Sequence, residues 1–211
     1  MADVYGAGLR RVEDREYLGK PALVVVAIRT YDATVEDLWD AITTPARLTR
    51  WLGAVTGDLR LGGRYEIPGN ASGDITRCDP PTAIDVTWEF AGTVSWVTGR
   101  VERDGQGARL TIEHIAHKDG GPEGAAHFAQ FGPAAGGIGW DLWLHFLRLH
   151  LAAPSAAHDA AAAEAWTQSS EGTDFVRGSG EAWEAADVAF GTPPDIARAR
   201  AERTIAFYTG S

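Results

Sequence analysis

Gly139-Trp140-Asp141-Leu142-Trp143-Leu144-His145-Phe146-Leu147-Arg148-Leu149-His150-Leu151 is the stretch that decides the fold. Trp140, Trp143, Leu144, Leu147 and Leu151 recur at the i, i+3, i+4, i+7, i+11 spacing of one helical face. Leu142, Phe146 and Leu149 widen that face until little of the helix is left for water. A helix this apolar has to be wrapped by other elements, and the segments before it supply them.

Leu23-Val24-Val25-Val26-Ala27-Ile28 is a β-branched run bounded by Pro21, hence a strand. The first twenty residues are mixed and polar and fit an irregular edge strand. Thr34-Val35-Glu36-Asp37 has the form of a capping box, predicting a helix over 35–42 with Leu38, Trp39 and Ile42 inward. Thr44-Pro45 predicts a second short helix, with Thr44 as cap, ending near Trp51-Leu52-Gly53. Short strands follow, separated by Gly62-Gly63, Gly69-Asn70, Asp79-Pro80-Pro81 and Asp104-Gly105-Gln106-Gly107. Ile84, Val86, Trp88 and Phe90 alternate with Asp85, Thr87 and Glu89, and Arg109-Leu110-Thr111-Ile112-Glu113-His114-Ile115 alternates again. This spacing predicts an antiparallel meander.

At 211 residues, 45% hydrophobic and 23% charged, the chain can bury one large core. Cys78 is the sole cysteine, so no intrachain disulfide can form. No apolar run approaches the roughly 20 residues of a membrane span. Met1-Ala2-Asp3-Val4-Tyr5 lacks the basic and apolar regions of a signal peptide. These features point to the cytoplasm and to no membrane partner. The net charge of −10, with Lys20 and Lys118 the only lysines and no basic cluster, argues against nucleic acid. Residues 154–211 read as three acidic helical segments with too little apolar surface to fold alone. The expected organisation is therefore a domain over 1–153 and a helical extension over 154–211 docked on it.

The order strand, two short helices, meander, long helix is that of a helix grip, an α+β fold in which a curved antiparallel sheet holds a C-terminal helix. The matching stretches are Val35-Glu36-Asp37-Leu38-Trp39-Asp40-Ala41-Ile42-Thr43 with Pro45 and Trp51, Gly62-Gly63-Arg64-Tyr65, Asp79-Pro80-Pro81, Val86-Thr87-Trp88-Glu89, Leu110-Thr111-Ile112-Glu113-His114 and Gly139-Trp140. Over residues 22–153 they resemble the START-like (SRPBCC) superfamily, in the branch related to the activator of the heat-shock-protein-90 ATPase. That resemblance implies the helix-grip fold. It leaves function open, because members include lipid carriers, polyketide cyclases and the co-chaperone itself.

Function must then be read from residues. By pleat parity Trp88 faces the last helix, where Trp140 and Trp143 are its counterparts. These indoles either fill the core or wall a pocket for a flat apolar ligand. His114 shares the parity of Leu110 and Ile112 and is the polar handle such a pocket would hold, unless it is a hydrogen-bonded core residue. Asn70 is either a second handle or a turn residue. Phe128 and Phe131, in the Gly- and Ala-rich 116–138 segment, are placed at the pocket mouth, and 132–139 is read as a gate or a close-packing turn. Trp96 faces outward and needs a cover, either the extension or a second subunit in a homodimer.

Asp141 and His145 at i, i+4 read as a hydrogen-bonded pair; no metal, cofactor or catalytic residue is assigned. The leading expectation is a binder of a small hydrophobic molecule, with Trp88, His114, Phe128, Phe131, Trp140, Trp143 and Asn70 as its contacts. A co-chaperone-like interaction protein is a second reading. A third is a cyclase- or hydrolase-like enzyme using His114 with Glu89, Glu113 or Asp141, although Glu89 and Glu113 point away by parity.

Overall fold

A computed structural model describes residues 8–156 and 160–210 of the chain, so the start on which the absence of a leader was read lies outside the described residues. β1 (Leu9–Tyr17) and β2 (Lys20–Tyr31) precede α1 (Val35–Thr43) and α2 (Pro45–Leu48). β3 (Thr56–Gly57), β4 (Arg64–Ile67), β5 (Ala71–Asp79), β6 (Ala83–Phe90), β7 (Thr93–Asp104) and β8 (Gly107–His117) follow. Five helices close the described chain: α3 (Gly121–Phe131), α4 (Ala134–Ala152), α5 (Ala160–Thr167), α6 (Ser170–Phe190) and α7 (Pro194–Thr209). The strands form one antiparallel sheet in the order β1-β2-β8-β7-β6-β5-β4-β3, which is the expected helix grip.

The N-terminal segment is more regular than its polar sequence predicts. β1 pairs with β2 without interruption from Leu9↔Ile28 to Tyr17↔Lys20, across a turn in which Leu18 and Gly19 both have positive φ. Thr34 caps α1 through Oγ1, which accepts from the Asp37 amide at 3.1 Å. Thr44 does not cap α2 with its side chain; its hydroxyl donates back to Asp40 instead.

α4 lies against the inner face of the sheet, and its length corrects the sequence reading. Of residues 132–139, read as a gate or a close-packing turn, 132–133 form the turn after α3 and the helix already begins at Ala134. Gly137 serves close packing. A Cβ placed on Gly137 would stand inside contact distance of the Trp183 indole of α6, a side chain with no accessible surface. α6 covers the side of α4 turned away from the sheet and also packs on β1, so α4 is enclosed from both sides. That enclosure lets a helix apolar all round avoid water.

The clamp is fastened by one buried carboxylate. Asp141, 1% exposed, accepts from Arg10 Nε at 2.8 Å, Arg29 Nη2 at 3.4 Å, Ser179 Oγ at 2.6 Å and Trp183 Nε1 at 3.0 Å. It ties β1, β2, α4 and α6 to one point. The expected Asp141–His145 pair is therefore not the arrangement found. His145 instead stacks on Trp166 of α5 with ring centroids 4.5 Å apart, because Asp141 is turned toward the two arginines.

The C-terminal extension does not supply the cover expected for Trp96, which is half-buried. On the outer face of the sheet its ring lies 5.1 Å from Tyr17 and 4.6 Å from His117. The strands themselves supply part of the cover: this face carries a small apolar cluster of Ala22, Val24, Val26 and Ile115, on which Trp96 packs.

Three outcomes follow for urea unfolding. Gly137→Ala should cost about 1–3 kcal/mol, because the indole beside it is fixed by Asp141. Gly136→Ala, whose nearest neighbour would be His114 Nδ1 at 4.0 Å, should be neutral or stabilise by about 0.5–1 kcal/mol through helix propensity. Asp141→Ala, which leaves two buried guanidinium groups without their anion, should cost about 3–5 kcal/mol.

Candidate functional site

Between the sheet and α4 lies a cavity of about 190 Å³. Its floor is made by inward-facing residues of five strands: Tyr65 and Ile67, Ile75 and Cys78, Ile84, Val86 and Trp88, Val97 and Gly99, Leu110 and Ile112. Trp140, Trp143 and Leu144 of α4 form the roof. One end is closed by Ile42 and Thr43 of α1, Leu48 of α2 and the segment that carries Trp51, Leu52, Val55 and Leu59.

The sheet makes this space by curving and by presenting small side chains. Gly73 sits so close to the Thr87 carbonyl that no Cβ fits, and the β5–β6 register shifts between Ile75 and Arg77. Tyr65 reinforces the bend by donating its hydroxyl to the Thr87 carbonyl at 2.8 Å. Gly99 contributes no side chain where a larger residue would meet Ile84.

No charged side chain lines the cavity. Its polar groups are mostly turned into the protein. Thr43 Oγ1 donates to the Trp39 carbonyl at 2.7 Å, and Trp51 Nε1 to the Ala41 carbonyl at 3.0 Å. Burial holds the Tyr65 phenol well above its ordinary pKa, so it stays neutral. Cys78 adds a free thiol.

The three expected indoles do come together. Trp88 lies 5.4 Å from Trp140 and 5.9 Å from Trp143, and Trp140 meets Trp143 edge-on at 5.2 Å. They form one continuous wall of the cavity.

His114 faces inward as parity requires but does not line the space. It stands behind that wall, 5.9 Å from the Trp88 ring and 5.8 Å from that of Trp140. Trp140 Nε1 donates to its Nδ1 at 3.3 Å, its Nε2 is 2.8 Å from Ser95 Oγ, and that hydroxyl donates to the Trp88 carbonyl at 3.2 Å. One tautomer satisfies all three contacts: a neutral ring with its proton on Nε2, assigned from this network. The histidine therefore donates to Ser95 and does not act as its base. Some surface of the residue remains accessible, yet the imidazole is enclosed by rings, and burial pushes its pKa down to about 4. The core reading of His114 thus describes its place better than the ligand-handle reading.

Three further expected contacts are corrected. Asn70 is an exposed turn residue whose amide donates to the Ile67 carbonyl, next to Gly69 at φ +75°. Phe128 and Phe131 are not at the mouth, because their segment folds as α3 and docks on α7. Arg200 lies 5.3 Å over the Phe128 ring, and Phe131 faces Phe207 at 6.4 Å. Arg200, Arg203 and Thr204 donate to the last carbonyls of α3, which fixes its orientation. The acids offered as catalytic partners are engaged elsewhere: Glu89 with Arg64, Glu113 with Arg15, and Asp141 in its buried cluster.

Sequence reasoning missed Trp51, Leu52, Val55 and Leu59. Their signal was an apolar residue recurring every few positions in a Gly-rich stretch that is too irregular for a strand or helix.

His114 makes stability depend on acid. An unfolded histidine takes up a proton near pH 6.5, whereas the folded one stays neutral down to about 4. The stability of wild type relative to His114→Gln should be greatest above pH 6.5 and fall through that window. Urea unfolding of both proteins at a series of pH values checks this; parallel curves would remove the assignment.

A model of the family described as activator of Hsp90 ATPase homolog 1-like protein matches residues 32–151. Among solved structures, CalU16 from Micromonospora echinospora is similar in two forms. Its crystal structure is 30% identical with a TM-score of 0.66, covering 85% of this chain and 98% of that one. Its solution structure is 31% identical with a TM-score of 0.70, covering 90% and 100%. Protein MLL2253 from Mesorhizobium loti, 20% identical with a TM-score of 0.51 over 61% of this chain and 96% of that chain, shares the fold. No curated protein matches the sequence. The matched segment runs from just before α1 to the last turn of α4 and includes every element that lines the cavity. On sequence and architecture together, the chain is a START-like protein of the family of activator of Hsp90 ATPase homolog 1-like proteins.

Proposed function

We propose that this protein binds a small, flat, apolar molecule in the cavity between the sheet and α4. One observation carries the reading: about 190 Å³ of space is bounded by aliphatic and indole side chains with no charged group among them. An apolar cavity of roughly 150 Å³ is enough to stay dry and admit benzene. This one is matched to a body of one or two fused rings. Burial of such a body is worth about 25 cal/mol per Å² before ordering costs. The offset aromatic wall of Trp88, Trp140 and Trp143 adds a face on which a planar ligand can pack.

The role is binding, with no chemical step assigned. A general base must reach the atom it deprotonates. The cavity lining offers no histidine or carboxylate, and His114 is held neutral as a donor behind the wall.

Naphthalene is the probe. At a concentration about 100-fold above its Kd it should stabilise the protein by about 2.7 kcal/mol. For a chain of this size that is a rise in Tm of about 5–10 °C. Val97→Phe, which puts a ring into the space from β7, should keep the fold and lose the shift; His114→Gln should keep the shift. A shift that persists in Val97→Phe, or no shift with naphthalene and a panel of similar flat compounds, would overturn the reading.

A further inference from the structure

A second space of about 240 Å³ adjoins the first, and Trp51, Leu52 and Trp143 line both. Its far wall is supplied by α5, through Ala163, Glu164 and Thr167. The two compartments share a partition but differ in chemistry. The inner one has no charged group, whereas the outer one has one, the exposed carboxylate of Glu164. That carboxylate makes no ion pair among the described residues, although most acids of the main body are paired with arginines.

We infer that the two spaces form one elongated site for a cationic amphiphile, with its apolar ring body in the inner chamber and a protonated amine in the outer one. This rests on the binding role proposed above and names the class of ligand. A carboxylate without a counter-ion, beside two indoles whose faces carry negative potential, is the chemistry that attracts an ammonium group. An anionic end would meet the same carboxylate as a repulsion, with no cationic side chain among the described residues of the lining to offset it. The inference also gives the C-terminal segment a part in the site. Without α5 the outer chamber has no polar wall and the partition residues face solvent. α5 is held in place by Trp166, which stacks on His145 of α4 and packs on Phe175 of α6.

The test uses the full chain and three matched probes: naphthalene bearing a butyl chain that ends in an amine, a hydroxyl or a carboxylate. Isothermal titration calorimetry at low salt should rank them amine, then alcohol, then carboxylate. The amine should lead the alcohol by about fivefold or more, the sum of one exposed ion pair and one cation–π contact. That lead should shrink as salt is raised. Glu164→Gln should cut the amine's lead over the alcohol to the smaller cation–π share, abolish its dependence on salt, and leave the alcohol unchanged. Ala163→Trp, which fills the outer chamber, should weaken all three chain-bearing probes but not naphthalene itself. Equal binding of amine and alcohol to the wild type, or an amine lead left undiminished by Glu164→Gln, would overturn the inference while leaving the apolar chamber as a binding site. Failure of naphthalene and all three probes to bind would overturn both.

Discussion

A carboxylate with almost no access to water holds this molecule together. Asp141 sits in the middle of the most apolar helix of the chain, where an unpaired charge would be prohibitive. Two guanidinium groups from the first two strands, a hydroxyl and an indole N–H from α6 converge on it. Replacing such a cluster with well-packed apolar groups can be neutral or stabilising, so its value lies in direction more than in net energy. It fixes which face of α4 looks toward the sheet and which toward α6. With that rotation set, Trp140, Trp143 and Leu144 face the cavity.

The cavity is thus a by-product of two constraints that pull apart. α4 is pinned through Asp141 against β1, β2 and α6. Across β4, β5 and β6 the sheet bends away, driven by the tight Gly73 approach, the irregular β5–β6 register and the Tyr65 strut. The gap between them is walled by rings because rings are long enough to reach across it. His114 shows how strictly the polar inventory is managed. Its two nitrogens and the hydroxyl beside it are all engaged behind the wall, so the space itself stays apolar. Affinity in such a chamber comes from shape and burial, and selectivity has to come from its rim. The Glu164 compartment lies where that rim is.

The family places the fold and leaves the ligand open, as expected for a scaffold on which many activities have been built. The likeness to CalU16 reaches beyond the matched family segment, over as much as 90% of this chain. In the present chain the helices after α4 are integral to its packing. Trp183 fills the groove that Gly137 leaves open, and α7 holds the carbonyl end of α3.

By itself the sequence determined the alternation of the central strands, the capped first helix and the apolar helix they enclose. Periods of two and of 3.6 residues are local properties, and they put Trp88, His114, Trp140 and Trp143 on the inner side without reference to anything distant. Only the tertiary structure decided which of them touch the cavity. Parity says that His114 points inward, but not that two indoles stand in front of it. It cannot foresee that an Ala- and Gly-rich stretch folds as α3 and carries Phe128 and Phe131 away to α7, because that depends on three side chains some 70 residues later. The partners of Asp141 are likewise 38 to 131 residues distant in the chain. The segment with Trp51, Leu52, Val55 and Leu59 spaces its apolar residues too irregularly to fix a helix or a strand, and packing rather than local period turns them inward.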